Sequence, residues 1–274
     1  MPKNEKKRDV SLTRQKRALL LLEWAVGFRP AGSVWVMLLA LRGFSLVEIG
    51  LAESVFHVVS LCCELPSGLL ADVLGRKRTL LASQAMFLLS ALLMAASEGM
   101  GGVYLSLAVS AMGFNLESGT REAMAYETML QAGQEDGYLK FSSLQNAVYR
   151  LSDGGAMLLA GATMILGWRR ACLLDAAIAL LGLAAALSLT EPVCPGREGP
   201  AATPRALPAA LRDTILGAWD LLRTDRTAVA IMLVNALIGA CATLTRFFLQ
   251  ERVEAAVTAP ALLGPALFAL GLGG

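Results

Sequence analysis

Apolar runs of about bilayer length alternate with short polar turns along most of the chain. A helix rising ~1.5 Å per residue needs ~20 apolar residues to cross a hydrocarbon core. By that measure residues 18–41, 49–70, 79–97, 103–125, 141–166 and 171–189 form six spans. A seventh covers 227–249, and an eighth begins at Thr258. The pattern predicts an all-α polytopic membrane protein.

The polar intervals set the domain organisation. Residues 1–17 form a basic arm holding Lys3, Lys6, Lys7, Arg8, Arg14, Lys16 and Arg17, expected to be a solvated, partly disordered tail. Residues 18–189 form a six-helix bundle, 190–226 a linker, and 227–274 the start of a second half with about two helices. The linker opens with Pro, Gly and Ala between Glu191 and Pro204. Leu207, Leu211, Ile215, Trp219 and Leu222 then recur at helical spacing. Such an amphipathic helix lies on the inner membrane face or packs against protein.

Charge distribution orients the bundle. Basic residues gather in the arm, at Arg76-Lys77-Arg78, and at Arg197, Arg205, Arg212, Arg223 and Arg226, whereas the opposite turns carry only Arg42 and Arg169-Arg170. An excess of cations marks the cytoplasmic side, so the N-terminus is expected inside, at a plasma (bacterial inner) membrane. The arm followed by an apolar run resembles a secretory signal, but no small-residue cleavage site follows.

Composition agrees: 55% of residues are hydrophobic, 17% are charged and mean hydropathy is +0.57. About a quarter charged is usual for a soluble domain. The five cysteines show no metal-ligand spacing, and with a single histidine, His57, a histidine-rich metal site is excluded. No phosphate loop, nucleophile elbow or triad spacing appears, so the chain is read as a non-enzyme needing no cofactor or metal and no nucleic-acid partner.

The stretch Glu64 to Arg78 is a glycine-punctuated turn between two spans. Gly68 and Gly75 are expected to allow a tight reversal, with Asp72 between them and Arg76 and Lys77 after. Gly68-x-x-x-Asp72-x-x-Gly75-Arg76-Lys77 resembles the loop signature that joins the second and third helices of the major facilitator superfamily. The family form has a basic residue where Val73 stands. Glu64-x-Pro66-x-Gly68, Ser118-Gly-Thr-Arg-Glu-Ala123 and Tyr126-Glu127 resemble a bacterial subgroup. The resemblance implies two six-helix halves, each built of inverted three-helix repeats. On that expectation the chain looks truncated after the start of the eighth helix, its second half missing. It further implies that Gly68, Asp72, Gly75, Arg76 and Lys77 form a conformational-switch loop reaching the opposite half. The Gly-Pro signature that the family's proton antiporters carry in the fifth helix is absent between Arg150 and Gly167.

Charges within the spans are the remaining chemistry, each costing roughly 2.5 kcal/mol or more at the bilayer centre. By residue count Arg29, His57, Asn115, Glu117, Arg150, Asp153 and Asn235 lie near the midplane, which implies a polar cavity or an ion-paired interior. Glu23, Glu53, Glu64, Arg121, Glu122 and Asp175 are placed nearer an interface. Arg150 and Asp153, three residues apart, share a helix face suited to pairing. The resemblance implies a cavity lined by the first, fourth and seventh helices, hence by Arg29, Asn115, Glu117 and Asn235. Glu117 or Asp153 is a candidate proton-coupling carboxylate, and a structural network of Glu117, Arg121, Arg150 and Asp153 is the alternative. His57 is read as a satisfied interior histidine.

The expected function is secondary active transport of a small solute by alternating access, with the lipid bilayer, that solute and protons as partners. The alternative is a truncated, non-transporting half serving as a membrane interaction protein or an inactive fragment.

Overall fold

A computed structural model describes residues 3–192 and 222–256, together with positions 212, 216, 217, 219, 220 and 265. Most of the proposed amphipathic linker helix and the eighth span lie outside the described residues. All the regular structure among the described residues is helical.

Three predicted spans are crossed by single helices: α4 (Leu46–Leu74), α5 (Arg76–Ala96) and α10 (Trp168–Ser188). Residues 46–64 of α4, all of α5 and all of α10 are long and apolar enough to traverse a bilayer. The other three are divided. The first passes through α1 (Lys3–Gly27), α2 (Pro30–Ser33) and α3 (Trp35–Leu41). Pro30, which has no N–H to give, opens α2 behind a non-helical Arg29 at φ −126° and ψ 83°. The fourth breaks between α6 (Met100–Glu117) and α7 (Thr120–Gln131), where Gly119 adopts φ 63°. The fifth steps from α8 (Tyr138–Leu158) to α9 (Ala160–Leu166). Hydropathy sets the length of a crossing but not the backbone breaks inside it. The seventh span is α11 (Arg226–Ala256).

The basic arm is not a detached tail, because α1 runs unbroken from Lys3 into the first span. Gln15 is buried; its Nε2 donates to the Thr190 carbonyl at 2.8 Å and its Oε1 accepts from the Thr190 N–H at 2.9 Å. A side chain that satisfies both groups of one backbone residue fixes the arm to the end of α10.

The helices pack in the order α4, α6, α5, α10, α1, α8. Exchanging the first three spans with the second three carries α4–α6 onto α8–α1 and α6–α5 onto α1–α10, leaving the α5–α10 contact at the centre. Gly75 and Gly167, which open the third and sixth spans, have nearly the same backbone angles, φ 89°, ψ 157° and φ 80°, ψ 157°. The two units are inverted copies in packing and in this turn.

Gly75 alone makes the reversal in the signature stretch. Gly68 lies inside α4, exposed, with nothing within 4 Å of where a Cβ would sit, so its predicted role in the turn is corrected. The helix continues through Pro66, and Ser67 Oγ donates to the Glu64 carbonyl at 2.8 Å. At Gly75 a Cβ would stand 2.8 Å from Glu191 Oε1. Gly75→Ala is therefore expected to destabilise the purified protein by about 1–3 kcal/mol, from the disfavoured φ alone. Gly68→Ala should be neutral or stabilising by up to ~1 kcal/mol, since alanine is the better helix former. Paired thermal unfolding curves check both; equal losses would contradict this assignment of the turn.

Candidate functional site

Among the described residues the apolar core forms three clusters, one of which joins Val36, Leu39, Ile49, Ala52 and Val103; the other two divide the bundle. One, at the Gly75 end, gathers Leu19, Leu22, Leu80, Met124 and Leu189; the other, towards Gly167, gathers Val34, Met37, Leu38, Ala171 and Cys172. Polar assemblies lie at the Gly75 end and between these two clusters.

At the Gly75 end the signature turn is fastened on three sides. The Glu191 carboxylate accepts from the N–H groups of Arg76 and Lys77 at 2.6 and 2.7 Å, where α5 begins and free N–H groups are available. The Arg76 side chain reaches Asp72 at 3.1 Å and Glu127 on α7 at 3.2 Å. Thus Asp72, Gly75, Arg76 and Lys77 meet in one assembly with Glu127 and Glu191, two partners that sequence spacing did not supply. Gly68 stands apart from it.

Deeper lies a carboxylate–guanidinium–carboxylate triad. Arg121 Nε is 2.8 Å from Glu23 Oε2, and its Nη1 donates to Glu117 Oε1 at 2.9 Å. The Glu23 and Glu117 side chains are 1% and 3% exposed, and that of Arg121 is 20% exposed. The Glu23 contact is close but lies off the hydrogen-bond axis, so it is an ion pair. Residue counting places Glu23 and Arg121 nearer an interface, because it measures depth along a helix and not lateral burial. One turn after Glu23, Gly27 lets α1 approach α8 closely: a Cβ there would be 2.8 Å from the Tyr149 carbonyl oxygen.

The break in the first span is held by Asp175. Its two carboxylate oxygens accept from the N–H groups of Ala31 and Gly32 at 3.1 and 2.9 Å, donors that lack a helical partner. A Cβ on Gly32 would meet Arg29 Nε at 3.4 Å and Asp175 Oδ2 at 3.6 Å, so the opposite charges converge on the break. The Arg29 guanidinium also lies 5.3 Å from the centre of the Phe87 ring. Asp175 is 6% exposed and far from the interfacial role expected of it. The sequence signal was available: Arg29-Pro30 breaks a span, and the freed N–H groups demand an acceptor.

Arg29 and Asp175 face a cavity of about 320 Å³. All six predicted spans of the bundle contribute to its wall, which includes the partly exposed carboxylates Glu53 and Asp153 and the rings of Trp35, Phe56, Tyr149 and Trp168. Of the candidate residues, Arg29 and Asp153 reach this cavity. Asn115 is a clamp instead: its Nδ2 donates to the Ser60 carbonyl at 2.8 Å and its Oδ1 accepts from Ser60 Oγ at 3.0 Å, tying α6 to α4. Glu117 belongs to the triad. Arg150 is exposed on α8, outside the ion-pair network expected to include it, because the half-buried Asp153 turns towards the cavity. Asn235 is exposed on α11 and does not line this cavity. His57 is not interior: it is 57% exposed on α4, 3.3 Å from Glu53 and edge-on to Phe56.

Removing the central cation of the triad tests its role. Arg121→Met would leave two buried carboxylates unmatched, a loss of ~3–5 kcal/mol. Removing both carboxylate charges as well, as Glu23→Gln/Arg121→Met/Glu117→Gln, is expected to recover part of that loss. Thermal unfolding of the single and triple variants measures this; a triple variant less stable than the single would contradict the triad as an electrostatic unit.

Comparison with known proteins follows the same line. No curated protein matches the chain. The family model described as Major Facilitator Superfamily matches residues 22–274, which covers the bundle, the signature turn and α11. The chain belongs to the major facilitator superfamily and is an integral membrane transporter.

Proposed function

We propose that the chain carries a small solute by alternating access, driven by an ion or solute gradient. The 320 Å³ cavity is the binding site and Asp153 the carboxylate that couples a proton to the cycle. One observation carries this reading: a single cavity gathers side chains from every span of the bundle, with the partly exposed Glu53 and Asp153 in its wall. In such a cavity a partly exposed carboxylate such as Asp153 can exchange a proton with water or solute, whereas the Glu117 side chain is 3% exposed beside Arg121. Between the two carboxylates suggested by the sequence, the geometry favours Asp153 for coupling and Glu117 for structure.

The titratable and charged groups that line the cavity with Asp153 are Arg29, Glu53, Cys172 and Asp175 from other spans and Tyr149 from its own helix. Asp175 is occupied by the Ala31 and Gly32 N–H groups, and Glu53 and Asp153 are the other carboxylates in the cavity wall. The Gly75 end is the cytoplasmic side of a bacterial inner membrane, supported by the cations in the arm and at Arg76-Lys77-Arg78. The assembly of Asp72, Arg76, Glu127 and Glu191 fastens that end and loosens as the cavity changes the side to which it opens. No covalent step is involved.

Proteoliposomes holding the full chain, screened with solute mixtures and an imposed pH gradient, test the proposal. Asp153→Asn should abolish acceleration by the gradient while leaving solute exchange measurable, and Glu117→Gln should mainly lower the yield of folded protein. If both variants keep the gradient dependence, proton coupling through these carboxylates is wrong.

A further inference from the structure

A smaller space lies behind the cavity wall, where α1, α5 and α10 meet. It measures about 10 Å³; Gln84, Arg29 and Asp175 are its polar lining, and the rest is apolar, Phe87 and Ala179 included. Arg29, Ala91 and Asp175 also line the 320 Å³ cavity, so they form the partition between the two.

Gln84 is the group that gives this space a meaning. It is 1% exposed, and no protein acceptor lies within reach of its Nε2. The other arm of the amide lies against Gly182 on α10, where a Cβ would collide with Gln84 Oε1. Gly182 is outside the pocket that Gln84 lines, which leaves Nε2 as the arm turned towards it. A buried amide N–H without an acceptor loses its hydration with nothing to replace it.

The pocket can supply the missing partner. One water needs at least ~10–15 Å³, so the space admits one and no more. Asp175 gives one lone pair of each oxygen to the Ala31 and Gly32 N–H groups, which leaves acceptor sites open on both. Arg29 and Asp175 bring one charge of each sign, which favours a neutral occupant over an ion. We infer that one resident water occupies this pocket, accepting from Gln84 Nε2 and donating to Asp175, so that the break in the first span is joined to α5 as well as to α10. Asp175 is then held on two sides, by the backbone of the break and by the water. The inference does not depend on the solute or the coupling group of the larger cavity.

Radiolytic labelling reads such a water directly, because an X-ray pulse splits a bound water into hydroxyl radicals that oxidise the nearest side chain. Phe87 lines the pocket but not the cavity, and Phe141, also buried, lines neither. With the full chain in lipid nanodiscs, Phe87 should be oxidised and Phe141 should not. Ala179→Val fills the pocket from α10 and should remove the Phe87 product. Gln84→Leu keeps the volume but removes the amide, and should lower the melting temperature by ~2–10 °C.

Unmodified Phe87 in the unaltered chain would mean a dry pocket and overturn the assignment, and this outcome needs no variant. A Phe87 product that survives Ala179→Val would also overturn it, since the radicals would then come from the cavity. So would a Gln84→Leu chain at least as stable as the unaltered one, because the amide would then have no partner to lose. A melting temperature that rises when chloride replaces gluconate would make the occupant an anion, and would overturn it too.

Discussion

Everything in this bundle depends on how charge is matched where water is scarce. An unpaired carboxylate among packed helices loses far more hydration than packing returns, so each buried one must find a cation or a set of N–H donors. Three carboxylates do so in two ways. Glu23 and Glu117 share Arg121, which draws the first span against the end of the fourth. Asp175 receives the free N–H groups of Ala31 and Gly32, which draws the sixth span against the break in the first. With these satisfied, Glu53 and Asp153 stand in the cavity wall with part of their surface open.

The same logic separates fastening from function along the bundle. The Gly75 end is closed by short contacts, charge-assisted where Glu191 meets the start of α5 and Arg76 lies between Asp72 and Glu127, and neutral where Gln15 meets Thr190. Towards the Gly167 end, contacts are fewer and more adaptable. Arg42 lies 4.1 Å from the Trp168 ring centre and donates to the Ser97 carbonyl at 2.8 Å, while Arg169 approaches Glu98 only to 3.7 Å. The inverted relation between the two three-span units explains why Glu98 and Glu191 hold matching places, each just past a span and facing the turn that opens the other unit's last helix. The tighter of the two matching contacts is at the Gly75 end.

The sequence made the architecture legible because hydropathy, glycine placement and cation bias all act locally. Span positions, the reversal at Gly75 and the gathering of Asp72, Arg76 and Lys77 follow from those signals. The broken backbone of the first span was foreshadowed by Pro30, but its consequence was not, because Asp175 lies 144 residues beyond Ala31. Glu23 and Arg121 depart from the expected depth for a related reason: the break at Gly119 sets α7 against α1, which brings Arg121 onto a buried Glu23. Arg150 and Asp153 share a helix face by spacing, yet a few tens of degrees around α8 separate exposed surface from cavity. His57 looked interior because span counting cannot tell a face that packs from one left exposed.

The central claim is that a wet cavity stands apart from a dry charge layer within one bundle. Substituted-cysteine labelling tests it most directly. Ser33→Cys in the cavity wall and Thr120→Cys beside Arg121 would each be placed in a background whose native cysteines are replaced by serine or alanine. Ser33 is partly exposed and Thr120 is 3% exposed. The account predicts that a charged, membrane-impermeant thiol reagent modifies position 33 readily and leaves position 120 untouched. Equal modification of both would mean that water reaches the triad as freely as the cavity, and the division between fastening and binding groups would be wrong.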